Sequence, residues 1–261
     1  MGAAPPAPAG LRFIRAPNAS PLTLDGTRTY IVGRRRPAIL DPGPELVPHL
    51  AALAAAVADA GSATILVTHD HPDHAPGATW LAARLGASVL AASAGTLGPG
   101  DVVETDAGRL VAVATPGHAA DHLAFHWPAA DAVFCGDLML GGQDTALVAP
   151  PEGDLTEYLA SLERLRALRP ALIYPSHGEP FTDADAAIAR YLRHREERQA
   201  QILSALAPGA ATADLVMGRV YGAGLDPRLR AAAAGATLAY LQHLERVGRV
   251  RCLEGGRWTL A

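Results

Sequence analysis

The chain has 261 residues, 49% hydrophobic and 18% charged, so it can bury a sizeable core and is not a disordered chain. A net charge of −4 argues against coating nucleic acid or anionic membrane by charge alone, and all 22 basic residues are arginine, a compositional bias rather than a ligand signature. Two cysteines, Cys135 and Cys252, cannot build a disulfide framework, and no run approaches the roughly 18 apolar residues of a membrane span. The opening MGAAPPAPAG lacks the features of a secretory signal, so the expectation is a soluble cytoplasmic protein with no membrane partner.

Residues 1–10 read as a disordered Pro/Ala tail. Strands are expected at Thr29–Val32 and Ala38–Leu40, the second ending in the turn Asp41-Pro42-Gly43. A helix over Glu45–Ala60 stops at Gly61, and the apolar strand Thr64–Thr68 runs straight into a histidine cluster. Helix Ala78–Leu85 precedes strands at Ser88–Ala91, Leu110–Ala114, Leu123–His126 and Ala132–Phe134. Asp154 and Glu157 open a helix to Leu168 in capping-box style, and Ala171–Tyr174 is the next strand.

At Thr182 the pattern changes. An arginine-rich helix runs to Leu206, Pro208-Gly209 breaks it, and helices over Thr212–Tyr221 and Pro227–Val247 precede a hairpin of Val250–Leu253 and Arg257–Leu260. Helix, helix and terminal hairpin outline a winged helix. Residues 1–183 carry 11 arginines against 19 acids, while residues 184–261 carry 11 against 7, so the sign of the charge reverses. Two domains are therefore expected, a catalytic one over 11–207 and a winged helix over 208–261.

The chemistry concentrates in Thr68-His69-Asp70-His71-Pro72-Asp73-His74. Clustered imidazoles after a buried strand need partners, and a divalent metal supplies one. His69 and His71, alternate residues leaving a strand, share a face; Asp73 and His74 follow the turn at Pro72. Three later residues each follow a strand end: His118 after Thr115-Pro116-Gly117, Asp137 after Cys135-Gly136, and His177 after Pro175-Ser176. The expected assignment puts His69, His71 and His118 on one metal and Asp73, His74 and His177 on a second, bridged by Asp137.

These HxHxDH, TPGH, GD and SHG segments resemble the metallo-β-lactamase superfamily, which implies an α/β four-layer αββα sandwich. The stretches LTLDGTRTYIVG, ILDPGP, TPGHAADHLAF and ALVAPPEGDLTEYLASLERL, with the winged-helix outline, resemble the β-lactamase-like protein 2 branch. Its best-understood members are zinc endoribonucleases acting on single-stranded RNA. The resemblance spans about residues 12 to 261. That branch usually has GTNTY where this chain has Gly26-Thr27-Arg28-Thr29-Tyr30, so Arg28 is a candidate phosphate contact at the site mouth. Asp137 points away from antibiotic hydrolysis, because true metallo-β-lactamases of this fold lack a bridging aspartate. Only 40 residues separate it from His177, too few for the domain inserted in β-CASP nucleases.

The resulting expectation is a hydrolase with two zinc ions, iron or manganese being acceptable to the same ligands. It would cleave single-stranded RNA by attack of a metal-bridging hydroxide, oriented by Asp73, with His122 as a further catalytic candidate that either supports ligand orientation or meets substrate. Asp121 is expected to orient the His122 loop, whereas His49, His126, His194 and His243 have no motif context. Arg228, Arg230, Arg249 and Arg257, with Arg219, Arg246 and Arg251, are candidate RNA contacts on the winged helix, which could instead cover the site or form a homodimer. Two rival classes stand beside this reading: a glyoxalase II-like thioesterase (hydroxyacylglutathione hydrolase) or lactonase with a small acyl substrate, and a non-catalytic nucleic-acid-binding protein.

Overall fold

Side-chain alternation along the strands sorts the molecule into layers. The structure, a computed structural model, describes residues 8–261. Strands β1 (Leu11–Arg15), β2 (Arg28–Val32), β3 (Ala38–Leu40), β4 (Thr64–Leu66) and β5 (Ser88–Leu90) form one five-stranded sheet in chain order. Strands β6 (Val102–Thr105), β7 (Gly108–Ala114), β8 (Leu123–Trp127), β9 (Ala132–Gly136), β10 (Leu172–Pro175) and β11 (Phe181–Thr182) form a second, in the order β11-β10-β9-β8-β7-β6. Tyr30, Val32, Ala38 and Leu40 of the first sheet meet Leu123, Phe125, Trp127 and Phe134 of the second. The intervening residues Ile31 and Ile39 face outward onto Leu50 and Leu53 of α1 (Val47–Ala56) and Leu81 of α2 (Gly77–Leu85). On the far side, Ala124, Val133 and Cys135 pack against α3 (Leu155–Ala167) and α4 (Ala184–Leu206). The period of two thus feeds each strand into two cores, giving an αββα sandwich.

The C-terminal unit contains β12 (Ala211–Thr212), α5 (Ala213–Tyr221), α6 (Arg230–Arg246), β13 (Val250–Leu253) and β14 (Arg257–Leu260), the strands ordered β12-β14-β13. This is the expected winged helix. Its core is continuous with the sandwich, because Ile202 and Leu206 of α4 cluster with Val216, Leu241, Leu244 and Trp258. Polar contacts reinforce the seam: Arg246 pairs with Asp154 at 2.7 Å, and Thr156 Oγ1 lies 2.8 Å from His243 Nδ1.

The differences from expectation have local causes. Residues 1–7 of the expected tail lie outside the described residues, while Pro8–Gly10 are anchored by bonds from Leu11 N–H to Pro8 O and from Gly33 N–H to Gly10 O. Strands β1, β6, β11 and β12 are additions to the expected set, and all lie at sheet edges, where a strand is half-exposed and its apolar pattern weak. β4 ends two residues early because the Thr68 amide donates to the Asp41 carboxylate instead of a neighbouring strand. Asp154 caps α3 by accepting from the amides of Thr156 and Glu157, but its own amide donates to Gly117 O, so the reciprocal half of a capping box is absent.

Candidate metal centre

Each residue of the cluster leaves the end of a strand. His69–His74 follow β4, His118 lies between β7 and β8, Asp137 follows β9, and His177 follows β10. Two glycines permit the close approaches. Gly117, at φ +129, runs so near α3 that a Cβ there would collide with the Tyr158 backbone. Gly136, at φ +51, lets His122 Nε2 pass where a Cβ would meet it at 2.5 Å.

His69 Nε2 lies 2.9 Å from His71 Nδ1, which lies 3.1 Å from His118 Nε2. The opposite nitrogens are already occupied. His118 Nδ1–H donates to Leu147 O at 2.7 Å, and His71 Nε2–H donates to Glu152 at 2.8 Å. Thr68 Oγ1 donates to Asp41 and therefore receives Nδ1–H of His69 at 2.9 Å. Three lone pairs converge on one point, an arrangement that repels unless a cation sits there.

Beside it, Asp73, His74, Asp137 and His177 bring one ligand atom each within 4.8 Å of the others. His177 Nε2 is 3.1 Å from Asp73 Oδ2 and 3.3 Å from Asp137 Oδ1, and His74 Nε2 is 3.5 Å from each of those oxygens. Asp137 turns its other oxygen, Oδ2, to within 3.7 Å of His118 Nε2, so its carboxylate reaches both groups. His74 Nε2, His177 Nε2 and Asp137 Oδ1 are buried without a hydrogen-bond partner among the described residues. Unpartnered buried polar atoms of this kind, on an imidazole and carboxylate donor set, fit two divalent ions.

Charge in the metal-free cluster follows from the same contacts. Burial works against a proton on His177, but Asp137 and Asp73 outweigh it and lift its pKa to about 9. For His74 burial is likewise overcome, here by Asp137 and Asp41, and the pKa stands well above that of free imidazole. Asp137 is buried, yet His74 and His177 hold its carboxyl well below the usual range. Metal must therefore displace protons to bind.

The sequence shows Asp41 only as a turn residue; the structure gives it a larger part. At φ 52 and 2% exposed, it accepts from the Thr68 amide (2.8 Å) and hydroxyl (2.9 Å), from Ser176 Oγ (2.9 Å) and from His74 Nδ1–H (2.9 Å). It thereby sets the tautomers of His69 and His74, one in each group. The signal in the sequence is the strand-end acid of Leu40-Asp41-Pro42-Gly43.

His122 does not reach the reacting space. Its Nε2 accepts the Asp137 amide at 3.1 Å, its Nδ1–H meets Thr115 Oγ1 at 2.8 Å, and burial drops its pKa to about 3. It positions Asp137 as a neutral acceptor, so of the two roles expected of it the structure gives the ligand-orienting one and not the substrate contact. Asp121 accepts from the Asp70 amide at 3.0 Å and so ties the His122 loop to the histidine segment.

Arg28 is also corrected. It is 1% exposed, ion-paired with Asp25 and Glu179, and lies over the Phe13 ring, so its charge is neutralised inside the fold. Arg228 is held by Asp226 at 2.7 Å, Arg257 donates to Ala210 O, and Arg230 and Arg249 are exposed on the winged helix.

The cluster opens into a cavity of about 740 Å³ between the sandwich and the winged helix. His71, Asp73, His118 and Asp137 are among its lining residues. Leu140, Leu147, Leu225, Leu229 and Ala236 also line it, with residues 20–24. Arg195, Arg198, Tyr221 and Tyr240 also line it, as does His194, which has no motif context in the sequence.

Residues 91–177 match the Metallo-beta-lactamase superfamily model, and residues 212–258 match the Beta-lactamase associated winged helix domain. A Beta-lactamase-like protein 2 homolog from Drosophila melanogaster is 33% identical over 210 residues, covering 71% of this chain and 70% of that protein. Thioesterase pkgB from Emericella nidulans is 33% identical over 199 residues, covering 73% of this chain and 57% of its own length. Lactamase-like protein aptB from the same fungus is 33% identical with 63% of its length covered, so this chain spans under two thirds of these fungal relatives. Among solved structures, a metallo-beta-lactamase family protein from Thermus thermophilus superposes with a TM-score of 0.81 at 23% identity, covering 97% of this chain and 99% of that one.

Proposed function

The chain belongs to the metallo-beta-lactamase superfamily, among the beta-lactamase-like protein 2 homologues with an associated winged helix, and from that premise we propose that it is a two-metal hydrolase of acyl thioesters. The observation that carries the substrate class is the cavity: a largely apolar open cleft of about 740 Å³, lined in part by the ligand cluster, suits an acyl chain. A relative named as a thioesterase, 33% identical, supports the same reading.

His69, His71 and His118 would hold one ion, Asp73, His74 and His177 the other, and Asp137 both. Zinc, iron or manganese suits this donor set. When bound, the ions supply Lewis acidity and ready ionisation of water near neutral pH. The chain's own residues do the rest. The apolar side chains of the lining bind the acyl chain, leaving the thioester carbonyl at the ligand cluster. Asp73, 25% exposed against 11% for Asp137, is the cluster carboxylate most open to the cavity and is placed to orient the attacking water and take its proton. Water adds to the carbonyl carbon, the carbon–sulfur bond breaks, and the thiol leaves with a proton.

A second reading, hydrolysis of single-stranded RNA, draws support from the exposed Arg230 and Arg249 on the winged helix. Those residues do not line the cavity, and Arg28, the expected phosphate contact near the mouth, is neutralised. The thioester reading is therefore preferred. It predicts about two metals per chain and turnover of a medium-chain acyl thioester that is lost with chelator and restored by metal. Chelator-insensitive turnover would overturn it.

A further inference from the structure

The cavity lining holds a second charged group. Arg195, on α4, is 3% exposed, and its guanidinium donates to Ala146 O at 2.6 Å and to Tyr240 Oη at 3.2 Å. It lies over the Tyr158 ring at 4.7 Å, and its Nε is buried without a partner among the described residues. One helical turn on, Arg198 stacks over Tyr221 at 4.4 Å. Elsewhere on α4, Arg190 is matched by Asp144 at 2.9 Å; among the described residues, neither Arg195 nor Arg198 has an acidic partner.

Two guanidiniums beside a cavity, with no acidic partner in salt-bridge reach among the described residues, are costly to keep, since a buried or half-buried guanidinium is stabilised chiefly by an anion. Tyrosine rings compensate only in part. His194 beside them does not add to the charge, because burial, Arg195 and Arg198 all depress its pKa. The lining of the same cavity includes apolar Leu140, Leu147, Leu225, Leu229 and Ala236. Those side chains match methylene groups.

We propose that Arg198, supported by Arg195, is a specificity determinant that binds a carboxylate at the far end of the substrate's acyl chain. The substrates are then thioesters of dicarboxylic acids, with the thioester at the ligand cluster and the free carboxylate at the guanidiniums. This rests on the thioester reading for its chemistry, but the anion site itself does not.

The test separates the two. Metal-loaded protein is titrated calorimetrically with dicarboxylates from succinate to dodecanedioate, each against the monocarboxylate of equal length. One carboxylate meets the metals in both series; only the dicarboxylate reaches Arg198. One chain length should bind about ten- to hundredfold more tightly than its monocarboxylate, as a charge-assisted pair provides. That advantage should vanish in Arg198→Gln and survive in part in Arg198→Lys, with monocarboxylate binding as the internal reference for folding. A series with no advantage at any length, or an advantage retained in Arg198→Gln, overturns the proposal. Turnover is then compared for a neutral acyl and an ω-carboxyacyl thioester of the same thiol. The wild-type preference for the ω-carboxyacyl substrate should collapse through KM in Arg198→Gln. Equal loss on both substrates would make Arg198 structural. Selective dicarboxylate binding without any thioester turnover would retain the anion site and reject the thioester reading.

Discussion

Two charged groups in the cavity lining settle their charge in opposite ways. At the ligand cluster, the remote nitrogens of the histidines are tied to Thr68, Glu152, Asp41, Leu147 and Gly26, so their other nitrogens are aimed before any ion arrives. On α4, Arg195 and Arg198 lie against aromatic rings, with no acidic partner among the described residues. The first group is pre-organised by strand termini; the second is assembled from the sandwich and the winged helix together. Chemistry is thus fixed by the rigid sheets, and selection among substrates by the seam between domains.

The largest effect expected from disturbing this contrast is at Asp137. Asp137→Ala removes the one carboxylate that reaches both groups, and activity should fall by about a thousandfold or more, with metal content dropping below two per chain. Activity near wild type would break the comparison. Next is Asp41→Asn, which keeps size and tolerates the positive φ but removes the acceptor for His74 Nδ1–H and Thr68 Oγ1. Metal affinity should weaken about ten- to hundredfold, measured by competition with a chelator.

Protons offer a third probe. The His177 pKa is raised to about 9, so in the metal-free protein its contribution to stability is fully present below its unfolded value, about 6.5. That contribution is lost as pH rises through about 9. Metal uptake should accordingly release protons below pH 9 and tighten toward it, which titration in buffers of different ionisation enthalpy reads directly. Uptake without proton release contradicts the assignment.

Arg28→Ala should cost about 1–2 kcal/mol of stability, mainly through lost packing of the buried side chain over Phe13, since Asp25 and Glu179 stay accessible to water. The thermal midpoint of the metal-loaded protein reports it. The smallest effect is expected for Arg228→Ala, where the pair with Asp226 is fully solvent-screened and the thermal midpoint should not move measurably.

The ligand cluster is legible in the sequence because His69, His71, Asp73 and His74 fall in one dense segment at a strand exit, where imidazoles have little structural use. The layered fold follows from strands whose successive side chains enter opposite cores, as in Phe125 and Phe134 against Ala124 and Val133. Asp41 is less legible, since a strand-end Asp-Pro-Gly serves turns equally well. Arg28 is misplaced by sequence reasoning because a cation in a buried strand cannot be recognised without its distant partner, Glu179. The α4 group is hidden for a similar reason. Arg195 occupies the buried stripe of Ile188, Tyr191 and Ile202, a position where an arginine on an apolar face is itself the clue. The partners that explain it, Tyr158 and Tyr240, lie in α3 and α6.

The most direct test of the account is a competition between substrates. Metal-loaded protein is offered an acyl thioester and a labelled single-stranded RNA together, with Asp73→Asn in parallel. The account predicts thioester hydrolysis that is lost with chelator and in Asp73→Asn, while the RNA stays intact. Chelator-sensitive cleavage of the RNA with the thioester untouched would contradict it.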